Sequence, residues 1–346
     1  MKILGIETSC DETSAAVVED GAKVLSNVVA SSQEMHVKTG GIVPEVAARE
    51  QVKSIIPVTN EALKKANLTK NEIDAIAVTV GPGLVGSLLI GVETAKTLAW
   101  IWKKPLIPVN HLYAHIYSVF LDNATPPPLP AVCLIASGGH TDLVLFKSHK
   151  DITWIGGTVD DAAGEAFDKV ARILDLGYPG GPVISKVAEE CRMAISDLRF
   201  QNKKETLKLP RPLIQEDNLD FSFSGLKTAV LRAFESKLYP TPEIAYEFQE
   251  AVTDCLVQKT IKAAEKFGAK SIIVGGGVAA NQRLRFLIGK NAENLCSRTQ
   301  VQNIQVHFPS LKYCGDNGAM IASAGFFNNK PAKDLFLVDV DPGLHF

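Results

Sequence analysis

Two histidines, His111 and His115, have the spacing in this sequence that most directly predicts a chemical role. They follow the predicted strand 106–109, where helical periodicity resumes. Residues four apart lie on one face of a helix with Cβ atoms roughly 5–6 Å apart, so both imidazoles can reach one ion. Imidazole suits iron, zinc or nickel, and the spacing does not choose among them. The alternative is a pair of partly buried histidines that are hydrogen-bonded to the backbone.

A protease mechanism is disfavoured at this pair. Leu112 stands where the general-base glutamate of the H-E-x-x-H motif would stand, so a zinc-dependent peptidase has no base here. A third ligand is needed to hold an ion tightly, and one candidate is Asp316, which precedes a predicted apolar helix. Asp is also a common helix N-cap, and that role is the alternative for Asp316.

An acidic segment follows in the second half of the chain. Asp161, Glu165 and Asp168 are spaced i, i+4, i+7, which predicts three carboxylates on one helical face. One interpretation is a solvated acidic face. The other is that a carboxylate here accepts hydrogen bonds from ribose hydroxyls, as in other nucleotide sites. The turn around Gly180 and Gly181 then permits close approach of a flat ligand.

Two glycine turns, 81–83 and 275–277, each follow a predicted strand and precede a predicted helix. Glycines at the carboxyl end of a strand let backbone N–H groups approach an anion, and the helix N-terminus adds its dipole. Neither turn matches the Walker A or the dinucleotide-binding spacing. Together they favour a nucleotide-sized ligand in a cleft.

Alternating strand and helix patterns predict an α/β architecture that positions these residues. A unit of strand, polar turn, strand and strand begins at residue 3 and occurs again from residue 132. We therefore expect two duplicated lobes whose polar turns face an interlobe ligand cleft, although such hairpins also occur in unrelated α/β proteins. The proline-rich stretch 123–130 is the predicted linker. The predicted lobes are 1–125, completed by 320–346, and 130–319.

Composition sets limits on the possible partners. The chain has 346 residues, 46% hydrophobic and 21% charged, with a formal net charge of −2. No global basic field attracts nucleic acid, so local patches or a partner subunit must supply such binding. The six cysteines are scattered, which favours reduced thiols in the cytosol. The apolar stretch 85–102 contains Glu93 and Lys96 and is typical of a buried helix. No targeting segment is visible, and we expect a cytoplasmic protein without membrane association.

Taken together and in order, the motifs resemble those of the bacterial TsaD (Gcp) family, which is related to the catalytic subunit of the KEOPS complex. The resemblance covers essentially the whole chain, and the acidic motif is its most specific part. The matching motifs are GIETSCDET at 5–13, HLYAH at 111–115, SGGHT at 137–141, DDAAGEAFDK at 160–169, DFSFSGLKT at 220–228, GGGVAAN at 275–281 and DNGAM at 316–320.

The resemblance implies an actin/Hsp70/sugar-kinase-like (ASKHA) fold and a tRNA-modifying activity. The expected reaction transfers a threonylcarbamoyl group from L-threonylcarbamoyl-adenylate to N6 of adenosine 37 in tRNAs that read codons beginning with A. By resemblance, a divalent metal is held by His111, His115 and Asp316; Fe²⁺ is usual and Zn²⁺ possible. The residues implied to bind the adenylate are the loop Ile135, Ala136, Ser137, Gly138 and Gly139 together with Asp168, Gly181 and Asn281. Those implied to lie near the reacting centre are Asp11, Glu12 and His140.

One residue departs from related families. Archaeal relatives have an additional tyrosine ligand just before the Ser-Gly-Gly turn, where this chain has Ile135. The implied partners are tRNA, a TsaB-like paralogue and a TsaE-like ATPase. The competing function is an ATP-hydrolysing chaperone or a sugar kinase of the same fold, to which paired histidines are poorly suited because Mg²⁺ prefers oxygen ligands. A metallopeptidase is the third alternative.

Overall fold

The chain divides into two compact units in the computed structural model. The structure describes residues 1–36, 41–123, 125–196, 207–298 and 304–346, so Ala124 of the predicted linker lies outside the described residues. The first unit begins its last segment at Pro309, whereas the prediction began that segment at 320. Asp316 therefore belongs to the first unit. The first unit comprises Met1–Pro127, Ser148–Ile152 and Pro309–Phe346, and the second comprises Pro128–Lys147 and Thr153–Phe308.

Each unit contains one five-stranded mixed sheet with helices packed on it. The strands are β1 (Lys2–Glu7), β2 (Glu12–Glu19), β3 (Lys23–Ser31), β4 (Ala75–Gly81), β5 (Leu106–Asn110), β6 (Ala131–Ala136), β7 (Thr141–Ser148), β8 (Asp151–Gly157), β9 (Ser271–Gly275) and β10 (Gln305–His307). The helices are α1 (Gln33–His36), α2 (Pro44–Lys65), α3 (Val85–Trp102), α4 (His111–Tyr117), α5 (Ala163–Ile173), α6 (Gly180–Ser196), α7 (Ser224–Glu235), α8 (Thr241–Lys266), α9 (Gln282–Arg298) and α10 (Gly318–Asn328).

The two sheets have the same topology. The order in the first unit is β3-β2-β1-β4-β5, and the order in the second, taken in the same sense, is β8-β7-β6-β9-β10. In both sheets the central strand pairs antiparallel with the strand that follows it along the chain, and parallel with a strand that is reached through a helical connection. The predicted α/β fold with a duplicated strand unit is confirmed.

Strand β1 has a helix layer on each face. Its alternating side chains Leu4 and Ile6 join the apolar core beneath α2 and α3. Gly5 points the other way, to α10, where an added Cβ would lie 2.1 Å from the carbonyl oxygen of Gly318. Successive residues of a strand face opposite sides of the sheet, so this alternation accounts for both contacts. Glycine at position 5 allows α10 to approach the backbone of the central strand.

The acidic segment does not form the predicted three-carboxylate helical face. Helix α5 begins at Ala163, so Asp161 lies before it, and Lys169 Nζ bridges Asp161 Oδ1 at 2.7 Å and Glu165 Oε1 at 2.9 Å. Thr141 Oγ1 accepts the backbone N–H of Ala163 at 2.8 Å, which satisfies a donor at the start of the helix. A tertiary contact from β7 therefore supports the first turn of α5, and the prediction of one helical face was wrong.

The glycine turn 81–83 is filled by the chain's own C-terminal residues. An added Cβ on Gly81 would lie 1.8 Å from the carbonyl oxygen of Asp341. The backbone N–H of Asp341 donates to Val80 O at 2.8 Å, and that of Gly83 donates to Pro342 O at 3.2 Å. The expectation that this turn approaches an anion was wrong, because its glycines accommodate a neighbouring backbone segment.

The apolar stretch 85–102 forms helix α3. Its buried face includes Leu88 and Val92, while Trp100 is exposed, so the stretch is a surface-packed helix of the first unit. Within the described ranges, no helix combines the length and the apolar character that crossing a membrane would require. All six cysteines are free thiols.

Candidate functional site

The seven-residue helix α4 presents His111 and His115 from the end of β5. Asn110 caps the helix: its Oδ1 accepts the backbone N–H of Leu112 at 2.8 Å and that of Tyr113 at 3.3 Å. This capping satisfies two donors that have no partner within the helix. The imidazole centroids lie 4.6 Å apart in an edge-to-face arrangement. The predicted juxtaposition of the two histidines is therefore present.

Asp316 approaches both histidines from the segment before α10. Its Oδ1 lies 3.4 Å from His115 Nε2 and 3.6 Å from His111 Nε2. Asn317 caps α10, since its Oδ1 accepts the backbone N–H of Met320 at 3.1 Å. The N-cap alternative for Asp316 is thus wrong. One ligand atom from each of these two histidines and Asp316 lies within 4.8 Å of the others.

These three residues fit a metal ion. His115 is fully buried, and among the residues that the structure describes neither ring nitrogen has a partner in hydrogen-bonding geometry. A buried polar group without a partner costs about 1–3 kcal/mol, which coordination of an ion by His115 would offset. Two imidazoles and one carboxylate are a donor set for iron or zinc rather than for magnesium. The chain therefore contains a His-His-Asp group suited to a transition metal.

The electrostatic environment distinguishes the two histidines. Burial lowers the pKa of His115; Asp316 opposes this shift, and the neighbouring His111 adds to it. Burial also opposes the charged form of His111, but the carboxylates of Asp316 and Glu7 raise its pKa to about 9. His115 is thus neutral at physiological pH, with a lone pair suited to coordination. The negative charge that favours a proton on His111 also favours a bound cation.

The turn after β1 adds two carboxylates to this region of the first unit. Asp11 is buried, and Glu12 begins β2. Burial raises the pKa of Glu12, and the nearby charges of Asp316 and Asp11 raise it further. The same turn contains Cys10, whose thiol pKa is raised by burial and by the charge of Asp316. The structure therefore brings Asp11 and Glu12 into the electrostatic neighbourhood of the His-His-Asp group.

The Ser-Gly-Gly-His turn belongs to the second unit. The Ser137 N–H donates to His140 O at 2.8 Å, and the His140 N–H donates to Ser137 Oγ at 3.3 Å. An added Cβ on Gly138 or Gly139 would meet no atom of the described residues within 4 Å, so nothing in that part of the chain covers either backbone. This turn could offer N–H groups to an anion.

The predicted loop is shorter than expected. Ile135 and Ala136 are fully buried residues at the end of β6. They pair with Asp142 and Thr141 of β7, so the ladder holds their backbones and the core holds their side chains. The loop begins at Ser137. Ile135 and Ala136 precede this loop, with their side chains in the core and only their backbones next to it.

The other predicted adenylate residues also lie in the second unit, where helix ends meet. Asp168 Oδ1 accepts the Gly180 N–H at 2.7 Å, at the first residue of α6. An added Cβ on Gly181 would meet no atom within 4 Å. Asn281 Nδ2 donates to Ser185 Oγ at 3.1 Å and to Gln249 Oε1 at 3.0 Å. Asp168 and Asn281 are therefore held by hydrogen bonds within the unit.

Comparison with known proteins identifies the family. The sequence model of the family described as TsaD, tRNA N6-adenosine threonylcarbamoyltransferase, matches residues 23–323. The chain belongs to this family. The tRNA N6-adenosine threonylcarbamoyltransferase of Persephonella marina is 49% identical over 329 residues, which cover 94% of this chain and 90% of that protein. The protein of the same name from Dehalococcoides mccartyi is 47% identical over 346 residues, or 99% of each. The resemblance inferred from the motifs is confirmed.

A solved structure supports the fold class. HypF from T. kodakarensis superposes with a TM-score of 0.59 at 17% identity, and the match covers 97% of this chain and 47% of that one. At this identity the likeness concerns the fold alone. The expected ASKHA-type architecture is confirmed.

Sequence reasoning missed Glu7, which lies within the first TsaD motif. This carboxylate is fully buried at the end of β1. Its Oε2 lies 3.2 Å from His111 Nδ1, and Thr79 Oγ1 donates to the same oxygen. An acidic residue at the end of an otherwise apolar strand was the available signal, because a buried carboxylate requires partners. Its contact with a histidine 104 residues away was not visible in the sequence.

Asp160, in the acidic TsaD motif, was also missed. It accepts the backbone N–H groups of Phe223 and Ser224 and the hydroxyls of Ser222 and Ser224. Ser224 is the first residue of α7. The capping carboxylate comes from a distant part of the chain. The two motifs of the second unit that contain these residues are thus joined by hydrogen bonds.

Proposed function

We propose that this chain transfers the threonylcarbamoyl group of L-threonylcarbamoyl-adenylate to N6 of adenosine 37 in tRNAs that read codons beginning with A, with release of AMP. The observation that carries the proposal is family membership over nearly the whole chain. The buried His-His-Asp group supports it, since a kinase or ATPase of this fold would bind Mg²⁺ through oxygen ligands instead.

His111, His115 and Asp316 would hold the metal ion in this function. The donor set of two imidazoles and a carboxylate is compatible with Fe²⁺, our first assignment, and with Zn²⁺. When bound, the ion supplies Lewis acidity and an anchoring point for the threonylcarbamoyl moiety. The chief structural support for this assignment is the buried His115, whose two ring nitrogens have no hydrogen-bond partner in the described part of the chain.

The second unit would bind the adenylate. The N–H groups of the turn Ser137, Gly138 and Gly139 would hold the phosphate, since glycine exposes the backbone there. Asp168 and Asn281 would fix ribose and adenine, with Gly181 leaving room for the flat base. The buried strand residues Ile135 and Ala136 would contribute backbone atoms only. Hydrogen bonds within the unit orient Asp168 and Asn281, which favours a preformed site.

The chemical step is an acyl-type substitution. The N6 amine attacks the carbamoyl carbon, an N–C bond forms, and the C–O bond to phosphate breaks with its electron pair leaving on AMP. The amine proton must be accepted, and we assign this task to Asp11 or Glu12. Burial and the charges of Asp316 and Asp11 raise the pKa of Glu12, so its ionised carboxylate would have an increased affinity for the amine proton. His140 would contact the reacting groups from the Ser-Gly-Gly turn.

Partner subunits are part of this proposal. A chain with a formal net charge of −2 has no overall attraction for tRNA. We infer that a TsaB-like paralogue and a TsaE-like ATPase complete the tRNA-modifying assembly, and that it acts in the cytoplasm. The C-terminal segment would complete the N-terminal lobe, here from Pro309 onward.

Depletion of the protein followed by mass spectrometry of tRNA nucleosides tests the function. Threonylcarbamoyl-adenosine should disappear and return when the wild-type gene is restored. The His111→Ala variant should fail to restore it and should purify without metal. His307→Gln alters a half-buried histidine of the second unit that has no place in the proposed site, so it should restore the modification.

Two results would contradict the proposal. Unchanged threonylcarbamoyl-adenosine after depletion would exclude the activity. Full complementation by a metal-free His111→Ala protein would exclude the metal centre. Steady ATP turnover by the purified chain without tRNA would instead favour a chaperone or kinase.

A further inference from the structure

We propose that Glu7 is a positioning residue that fixes the ring orientation and the tautomer of His111 so that Nε2 is the atom offered to the metal. This inference rests on the proposed metal centre. Glu7 Oε2 lies 3.2 Å from His111 Nδ1, the ring nitrogen on the side away from the Asp316 contact. Both side chains are buried, so water does not compete for this hydrogen bond.

The partners of Glu7 determine which atom donates. Ser9 N–H donates to Glu7 Oε1 at 2.5 Å, and Thr79 Oγ1 donates to Glu7 Oε2 at 2.5 Å. Each oxygen of the carboxylate therefore already acts as an acceptor. His111 Nδ1 must carry the proton in this hydrogen bond, because a carboxylate that accepts on both oxygens has no proton to donate. The other ring nitrogen, Nε2, is therefore the one that would give up its proton and offer a lone pair when a metal ion binds.

The position of Nε2 matches the requirement of a metal ligand. His111 Nε2 lies 3.6 Å from Asp316 Oδ1, and His115 Nε2 lies 3.4 Å from the same oxygen. Nε2 of His111 thus points to the region where the three candidate ligands converge. A ligating histidine commonly donates its second ring N–H to a carboxylate, which fixes the ring and increases the basicity of the ligand. Glu7 provides this contact.

The same support is absent from the second histidine. Neither nitrogen of His115 has a hydrogen-bond partner among the described residues. The Asn110 cap fixes the backbone of α4. Glu7, at the end of β1, fixes the imidazole of His111, and Thr79 of β4 in turn holds the carboxylate of Glu7. His111 is therefore held by the central sheet of the first unit, and a loss of Glu7 should act on this histidine specifically.

Glu7→Gln tests the proposal in the full-length chain with Co²⁺ as the probe. The glutamine amide has nearly the same shape as the carboxylate. Its NH₂ group is a donor, however, and would face one of the three donors that now hydrogen-bond to the carboxylate, so that hydrogen bond would be lost. We expect Co²⁺ affinity to fall by about 10- to 100-fold, as for other residues that orient metal ligands, and the visible absorption of bound Co²⁺ to shift. Glu250→Gln is the matched control, because Glu250 is a buried carboxylate of the second unit paired with Arg283. It should lose stability and keep wild-type Co²⁺ affinity and spectrum.

Each outcome either supports or refutes the positioning role of Glu7. If Glu7→Gln keeps the wild-type Co²⁺ affinity and spectrum, the positioning role is refuted. It is also refuted if, at an equal drop in Tm, Glu7→Gln loses no more Co²⁺ affinity than Glu250→Gln does. If Glu7→Gln does not fold, Thr79→Val replaces it as the test: weaker Co²⁺ binding supports the proposal and unchanged binding refutes it. Failure of the wild-type chain to bind Co²⁺ would refute the metal centre itself, and the Glu7 role with it.

Discussion

Asp316 and Asn317 are neighbours in sequence with different tasks at the start of α10. Asn317 satisfies a backbone donor of the helix at Met320, whereas Asp316 extends to the two histidines. Short polar residues before an apolar helix are expected to act as caps, and here one residue suffices. Because Asn317 caps the helix, Asp316 is available as a metal ligand without loss of helix stability.

Substitutions at these two positions should have separable effects. Asp316→Asn should lower metal affinity by more than ~100-fold, since a direct ligand contributes more than the residues that orient ligands, with little change in Tm of the metal-free protein. Asn317→Ala should lower the free energy of unfolding by about 1 kcal/mol and retain metal binding. Metal titration and thermal melting of both variants check this. Strong metal binding by Asp316→Asn would remove Asp316 from the ligand set.

At the scale of secondary-structure elements, helix α7 depends on a cap from far away in the sequence. Asp160 lies 63 residues before Phe223 and accepts two backbone N–H groups at 2.8 and 3.2 Å. Burial opposes the charged form, but the hydrogen bonds from Ser222 and from the start of α7 lower the pKa of Asp160. A carboxylate at a helix N-terminus also interacts favourably with the helix dipole. The cap thus joins two sequence motifs of the second unit.

The lowered pKa of Asp160 predicts a pH-dependent contribution to stability. A carboxylate with a folded-state pKa below its unfolded value of about 3.9 stabilises the protein above that pH and less as the pH falls through the folded-state pKa. Asp160→Ala should therefore lower the free energy of unfolding by about 1 kcal/mol at pH 7. The difference from wild type should narrow below about pH 4.

Urea denaturation between pH 7 and the lowest pH at which the wild type remains folded checks this prediction. Asp217→Ala is the control, since Asp217 is exposed and paired with Lys262 at the surface, and it should cause a smaller loss. A difference between Asp160→Ala and wild type that grows on acidification would contradict the assigned sign.

At the scale of the whole molecule, the first unit brings together the start and the end of the chain. Strand β1 packs on α10, more than 300 residues later. Gly5 and Gly318 approach so closely that an added Cβ on either would lie within 3 Å of the other's backbone. Glu7, at the end of β1, and Asp316, just before α10, lie on either side of His111. The close approach of β1 and α10 therefore positions the candidate metal centre.

Gly5→Ala should affect stability and metal binding together. Its Cβ would displace α10, with a loss of about 1–3 kcal/mol as for other overpacked cores, and Asp316 would shift with the helix. Gly289→Ala is the matched control: in α9 an added Cβ meets no atom within 4 Å, so the change should stabilise the chain by roughly 0.5–1 kcal/mol. Denaturant unfolding and Co²⁺ titration of both variants test this. A Gly5→Ala protein of wild-type stability would refute the packing argument.

Local patterns in the sequence were sufficient for much of the fold and for part of the site. The duplicated strand unit, the helix over 85–102 and the shared face of His111 and His115 follow from spacings within one strand or a few helical turns, where neighbouring residues determine the contacts. The order of the motifs along the chain further indicated the family, which the comparisons confirmed. Asp161 shows the limit of such patterns. Its helical spacing predicted a position on α5, but the hydrogen bond from the Ala163 N–H to Thr141 supports a helix that begins after Asp161.

The tertiary structure alone decided which distant groups meet. It selected Asp316 over Asn317 to face the histidines, put the backbone of Asp341 against the Gly81 turn, and brought Glu7 to His111 across 104 residues. Each of these contacts joins strands or helices whose separation along the chain carries no periodic signal. Burial then determined how these groups interact, since a buried carboxylate or imidazole must find a hydrogen-bond partner or a bound ion among the groups that packing places beside it.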